Sequence, residues 1–267
     1  LFPEVFLRDS PGFDVVLGNP PWEELQVEEP KFWLRIRPGL LGLKPAELQA
    51  EVTRLRRERA DLLPQLDSEI AAVADMRKVL LAGPFPGLGT GDIDLYQAFA
   101  WRFWQVVRDQ GAIGVVMPRS LVNSAGSAPW RQATLTRSET RLVGLVNTRR
   151  WVFPIHPQWS ITLVSMEKGG PRTGRIELSG PFHDEATFLR GKDQVGSVAF
   201  ETLAAASAGA PIPNLPDAKS VGIFAQIRQA PRLDAKRPGW DFRPVAELHA
   251  TNERPVFDSG LGAGGDR

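Results

Sequence analysis

The sequence predicts an α/β protein built on an open sheet. Short, continuous apolar runs recur along the chain, at 13–18 ("FDVVLG"), 112–118 ("AIGVVMP"), 141–148 ("RLVGLVNT") and 160–169 ("SITLVSMEKG"). Runs of this length fit strands buried on both faces of a sheet. Between the first two lies "DIDLYQAFAWRFWQVVRDQG" (92–111), whose apolar residues recur at three and four positions, the spacing of one helix face. Strand, helix, strand, helix, strand is the order of an α/β sheet. The short loop between the last two runs allows a hairpin there.

Each element has its own signals. From Pro45 to about Leu81 the spacing of Leu48, Val52, Leu55, Leu62, Leu66, Ile70 and Val73 is helical, and Pro64 should divide or kink the stretch. Arg54, Arg56, Arg57 and Arg59 form either a phosphate contact or a solvated face paired with Glu51 and Glu58. "GPFPGLGTGD" (83–92) is a Gly/Pro loop; no Lys-Ser/Thr follows and no strand precedes it, so a phosphate loop is poorly supported. In the helix that follows, Leu95, Phe99, Phe103 and Val106 or Val107 are expected on the buried side, with Asp92 and Asp94 capping its start and Gly111 stopping it. "SAPWRQATLTR" (127–137) reads as another helix. After Gly170 the chain is rich in Pro, Gly and Ala, and 171–267 reads as a linker and the start of a second, incomplete domain.

Composition narrows the function classes. Hydrophobic residues make up 42% and charged residues 24% of 267 residues, an ordinary soluble balance. The net charge of +1 neither suggests nor excludes nucleic acid, because a local patch is invisible in a neutral total. With no cysteine, disulfides, thiolate metal sites and cysteine nucleophiles are excluded, and a cytoplasmic setting is expected. No run reaches the roughly 18 apolar residues of a membrane helix. His156, His183 and His249 are too scattered for a metal site, so no metal is expected. "LFPEVFLRDS" at the start and "VFDSGLGAGGDR" at the end read as the cut ends of a fragment.

The chemistry concentrates in "DVVLGNPPWEEL" (14–25). In an open α/β sheet, ligands collect beyond the carboxyl ends of strands, and Asn19 is the first polar side chain past such an end. Pro20 lacks an N–H, and Pro21 restricts it to an extended conformation, which fixes the direction of the Pro20 carbonyl. The Asn19 side-chain oxygen and that carbonyl form a pair of rigid acceptors, suited to an –NH2 group. Trp22 adds a flat face on which an aromatic ring bearing that amine can stack.

Asn-Pro-Pro-aromatic at a strand end resembles the catalytic motif of amino-methyltransferases that use S-adenosylmethionine. "DLYQAFAWRFWQVVRDQGAIGVVMPRSLV" and "RRWVFPIHPQWSITLVSMEKG" resemble the two stretches that follow in gamma-class adenine-N6 DNA methyltransferases. "LFPEVF" with "GFDVVLGNPPWE" resembles the large methylases of fused restriction–modification enzymes and of BREX- and DISARM-type phage defence. The resemblance implies a partial Rossmann-like methyltransferase sheet over 1–170, the C-terminal half of a catalytic domain, with a helical insertion at about 23–90. It also implies an incomplete DNA-recognition domain within 171–267. Asn19, Pro20, Pro21 and Trp22 then become the catalytic motif, and Trp22 and Phe153 the pair that holds a flipped-out adenine of double-stranded DNA. Pro21 would touch the S-adenosylmethionine cofactor. A fused or neighbouring nuclease or defence subunit is an implied partner, and no membrane is. Tyr96 is expected to buttress the pocket. The pattern departs from the family in two ways: Trp stands where Tyr or Phe is usual, and the Gly-rich cofactor motif, which precedes this segment in the gamma order, is absent. This chain by itself is therefore expected to be inactive. The rivals are a protein glutamine N5-methyltransferase, which shares the Asn-Pro-Pro-aromatic motif, and a non-catalytic DNA-binding fragment of a decayed methylase.

Overall fold

The computed structural model describes residues 2–157, 159–170, 174–207, 209–230 and 238–239. His249 and the last stretch of the expected second domain, 240–267, lie outside them. The chain divides into a compact unit, Leu1–Ile227, and a second unit, Arg228–Arg267. The first contains, in order, α1 (Pro3–Phe6), β1 (Phe13–Gly18), α2 (Glu29–Leu34), α3 (Pro45–Glu58), α4 (Leu63–Ala82), α5 (Leu95–Val106) and β2 (Val107–Pro118). There follow α6 (Ser120–Asn123), α7 (Ala128–Leu135), β3 (Ser138–Val146), β4 (Ser160–Lys168), β5 (Arg175–Phe182), α8 (Glu185–Gly191), β6 (Gly196–Ala199), α9 (Phe200–Ala206) and α10 (Ala218–Ile227).

The six strands form one mixed sheet in the order β1-β2-β4-β3-β5-β6. β1 runs parallel to β2, and β3 parallel to β5. β4 is antiparallel to both β2 and β3, so β3 and β4 make the expected hairpin, with Val146 opposite Ser160. β1, β2, β3 and β5 therefore all point one way. Their carboxyl ends, and the start of β4, lie at the same end of the sheet. The chain is an α/β protein, as the alternation of runs and helices predicts.

Its core is continuous. Tyr96, Trp101 and Trp104 of α5, Trp130 and Leu135 of α7, Phe200 and Leu203 of α9 and Val221 of α10 pack with Ile113, Val115, Met117, Leu142, Val164 and Ile176 of the strands. Helices α2 to α4 carry a separate cluster, Phe32, Trp33, Leu40, Val52, Leu55 and Leu66. Pro64 sits in the first turn of α4, where its missing N–H breaks no bond, and so divides the two long helices as expected. The arginine cluster is a solvated face. Arg54 pairs with Glu51 and Glu58, Arg56 with Glu29, and Arg59 with Asp61. Such exposed pairs are worth about 0–1 kcal/mol each.

Several expectations need correction. β1 is not buried on both faces: it lies at the end of the strand order, Val15 is exposed and Leu17 is 77% exposed. An apolar run specifies a strand, but the run cannot say whether layers exist on both sides of it. In α5 the buried side is Tyr96, Gln97, Ala100, Trp101 and Trp104, while Phe99 is exposed. The large Trp rings took the core side, one position along from the expected stripe. The helix ends at Val106, before Gly111, because Val107 is already extended and begins β2. Asp94 occupies the N-cap position of α5, but its side chain makes no capping hydrogen bond. The division near residue 170 is also displaced. β5 and β6 continue the same sheet, and the first unit runs on to Ile227.

The glycine loop at 83–92 is a packing device. Gly87 has φ +87°, and a Cβ there would lie 2.4 Å from the Gly126 carbonyl and 2.8 Å from the Pro129 ring. Only glycine lets the two loops approach this closely. Among the described residues no helix is long and apolar enough to cross a membrane.

These burials lead to a stability prediction. Replacing Leu17 by Thr on the outer face of β1 should change stability by no more than about 0.5 kcal/mol. Met117→Ala, on the neighbouring strand and fully buried, should cost about 2–5 kcal/mol. Urea denaturation of the two variants checks the contrast.

Candidate functional site

Where β1 ends, the chain turns out of the sheet. Pro20 has no N–H to continue the ladder with β2, and Pro21 holds the backbone extended. Pro20 is buried, while Asn19 and Pro21 face solvent. The chain then meets the segment leading into α5. Leu25 N–H donates to the Ile93 carbonyl at 2.8 Å, Leu95 N–H donates to the Glu23 carbonyl at 3.0 Å, and Glu24 bridges Asp94 in antiparallel fashion. This staple fixes where Trp22 stands. The indole is half-buried against the main core, and its N–H donates to the Val116 carbonyl of β2 at 3.4 Å.

From the opposite side comes the loop between β3 and β4. Its organiser is Asn147, a fully buried amide just past the end of β3. Its Nδ2 donates to the carbonyls of Phe153 (2.9 Å) and Ile155 (3.3 Å), and its Oδ1 accepts from the N–H groups of Val152 and Phe153, both at 3.1 Å. The Trp151 indole N–H donates to the Val146 carbonyl at 2.7 Å. The loop is held from within, and it carries Phe153 and Trp159 towards Trp22.

The two segments enclose an open cavity of about 930 Å³. Asn19, Pro20, Pro21 and Trp22 line it, together with Phe153, Ile155 and Trp159. The candidate residues at 19–22 and Phe153, far apart in sequence, thus meet in one cavity at the carboxyl end of β1. Phe153 stands edge-on to Trp22, with ring centroids 6.3 Å apart and planes at 85°. Trp159, which the sequence gave no reason to select, lies 5.8 Å from Trp22 with planes only 25° apart. Tyr96 does not line the cavity; it is part of the core beneath α5.

Charge in the cavity is predominantly negative. Glu23, Glu24, Glu28 and Asp94 line it, and the one lysine there, Lys31, is paired with Glu28 at 2.7 Å. Burial raises the Asp94 carboxyl above its ordinary value, and the nearby Glu24 and Asp92 raise it further. Among the described residues no group of three or more His, Cys, Asp or Glu could hold a metal. The glycine turn at 83–92 leaves no room for a phosphate at Gly87, where the Gly126 carbonyl and Pro129 close it.

No protein-family model matches the chain, and no curated protein matches it. Solved structures give distant likenesses. A modification subunit assigned to a type I restriction enzyme of Vibrio vulnificus YJ016 is 13% identical with a TM-score of 0.38, over 76% of this chain and 37% of that one. DrdV in complex with DNA is 14% identical with a TM-score of 0.40, over 75% of this chain and 18% of that one. The ATP-dependent Type ISP restriction-modification enzyme LlaBIII, bound to DNA, is 13% identical with a TM-score of 0.33, over 70% of this chain and 12% of that one. The chain thus spans 37% or less of these larger proteins. The scores are low, and the architecture rests on the chain's own strand order.

Asn147→Ala should unpair four backbone groups of the loop and lower stability by about 2–3 kcal/mol, with faster amide exchange at Val152 and Phe153. Asp94 gives a pH test. Its folded-state pKa lies above the unfolded value of 3.8, so the native state binds the proton more tightly, and the stabilisation this gives at low pH is lost as pH rises through the folded value. Asp94→Asn should remove that loss. The difference in unfolding midpoint between variant and wild type should grow in the variant's favour on raising pH from below 3.8 towards neutrality.

Proposed function

We propose that this chain provides the acceptor side of a DNA methyltransferase, one that methylates N6 of a flipped-out adenine in restriction–modification or phage defence. The observation that carries the reading is the convergence of Asn19, Pro20 and Trp22 with an aromatic loop in one cavity at a strand's carboxyl end. An exocyclic amine is a poor nucleophile, because its lone pair is delocalised into the ring. Its two hydrogens would be taken by the Asn19 side-chain oxygen and the Pro20 carbonyl, which favours a more tetrahedral nitrogen and localises the pair. Pro20 is buried and flanked by Pro21, so its carbonyl is preorganised and needs no rearrangement during reaction. Trp22, held by the Val116 carbonyl, offers the base a fixed stacking face.

A base inside a duplex cannot reach such a cavity and must leave the stack, at a cost of a few kcal/mol. Stacking on an aromatic wall returns about 1–3 kcal/mol per base. The electrophilic methyl in the resembled family comes from S-adenosylmethionine. No Gly-rich turn precedes Asn19 in the sequence, and the glycine turn at 87 is closed by the Gly126 carbonyl and Pro129, so the roles proposed for this chain are binding, orienting and activating the amine.

In the enzyme that contains this chain, transfer of labelled methyl groups from S-adenosylmethionine to duplex DNA tests the reading. Asn19→Ala should lower the rate a hundredfold or more, by analogy with the loss of one preorganised hydrogen-bonding group, at about 10²–10³. Trp22→Phe should retain more activity than Trp22→Ala. Full activity of Asn19→Ala, or a labelled glutamine in place of N6-methyladenine, would refute the assignment.

A further inference from the structure

Resting on the reading above, we infer that Trp159 is the second jaw of the base site: the acceptor ring enters between the indoles of Trp22 and Trp159 and replaces their mutual stack. Among the described residues Trp159 lies nearly parallel to Trp22, at 25°, whereas Phe153 is nearly perpendicular to it, at 85°. A near-parallel pair is the arrangement that a planar ring can enter with both of its faces covered once the rings move apart. Both indoles line the cavity that holds Asn19 and Pro20, so a ring between them has its rim within the compartment of the two acceptors.

The anchoring of Trp159 suits a jaw. Its N–H donates to the His156 carbonyl and its carbonyl accepts from Asn147 N–H, both at 3.1 Å. Both backbone polar groups are therefore fixed, while the side chain is 43% exposed. Admitting a ring requires planes about 7 Å apart, two contacts of about 3.5 Å. Rotation about the Trp159 side-chain bonds opens that space without disturbing the loop. The site then selects a planar heteroaromatic ring carrying an amine. Phe153, nearly perpendicular to Trp22, packs beside it and holds the fixed jaw in place.

The experiment measures anisotropy of a labelled single-stranded oligodeoxyadenylate against an abasic strand of equal length, using the full chain. The ratio of the two affinities isolates the base from the backbone. Trp159→Ala should lower that ratio about tenfold, and Trp159→Phe should restore most of it. The thermal midpoint of Trp159→Ala, read in parallel, should move little for so exposed a side chain. An unchanged ratio in Trp159→Ala alongside a reduced one in Trp22→Ala would overturn the role of Trp159 and leave the base site standing. A ratio near one in the unaltered chain would overturn both. Failure of Trp159→Phe to recover binding would also overturn the jaw, because stacking needs only an aromatic plane.

Discussion

The site depends on a two-bond staple, Leu25 to Ile93 and Leu95 to Glu23. It closes off residues 26–92, which hold α2 to α4 with their own hydrophobic cluster. Because closure entropy grows only logarithmically with loop length, a long excursion is tolerated where its two ends are pinned together. The same staple aims the chain after Pro21, so that Trp22 is pressed between the carbonyl edge of β2 and the open cavity. It also puts the Asp94 side chain on the cavity wall, although the residue occupies the N-cap position of α5. The Asp94 carboxyl lines the cavity, where burial and neighbouring carboxylates hold its pKa up. One local pairing thus sets the α2–α4 excursion, the aromatic wall and the acidic wall together.

A cavity lined by four carboxylates is an unexpected neighbour for DNA, and the charge pattern has a physical reading under the proposed function. Phosphates are repelled from such a throat, while a neutral base bearing an amine is not. Backbone contacts must then come from outside it. Arg149 and Arg150 lie exposed on the same loop as Phe153, at φ +56° and +61°. Left-handed backbone is costly for a side-chain-bearing residue, of order 1–3 kcal/mol each, and such strain concentrates where a loop is shaped for a purpose. Asn147 is the group that holds this loop against the strain, through four hydrogen bonds from one amide.

How much of this was legible in the sequence differs by residue, for physical reasons. Asn19, Pro20 and Trp22 were legible because their meaning is local: a strand end, a missing N–H and an aromatic ring in four consecutive residues. β1 to β4 were legible from uninterrupted apolar runs, whereas β5 and β6 were not, because polar and small residues break their runs. The exposure of Val15 and Leu17 was not, because burial of a strand depends on neighbours that its own residues do not encode. The buried side of α5 was misread because Leu, Phe and Trp follow so closely that several stripes fit the spacing, and ring size decided among them. Asn147 ends an apolar run just as Asn19 does, and that parallel was the available signal. Trp159 carried none. A tryptophan after "HPQ" differs from other surface tryptophans only through the hairpin that folds it back onto Trp22.

The stacked indoles also bear on which acceptor the cavity favours. Parting an aromatic pair forfeits about 0.5–1.5 kcal/mol beyond the area exposed. A purine inserted between the rings makes two stacks, at about 1–3 kcal/mol per base, which offsets that loss and part of the cost of leaving a duplex. A glutamine amide offers the same two hydrogens to Asn19 and Pro20 but has no ring to replace the broken stack. The acceptor pair alone does not distinguish adenine from glutamine, since both present an –NH2. Under the proposed function the distinction would arise one ring further out, where parting Trp22 and Trp159 is unfavourable unless the entering group is itself a flat aromatic.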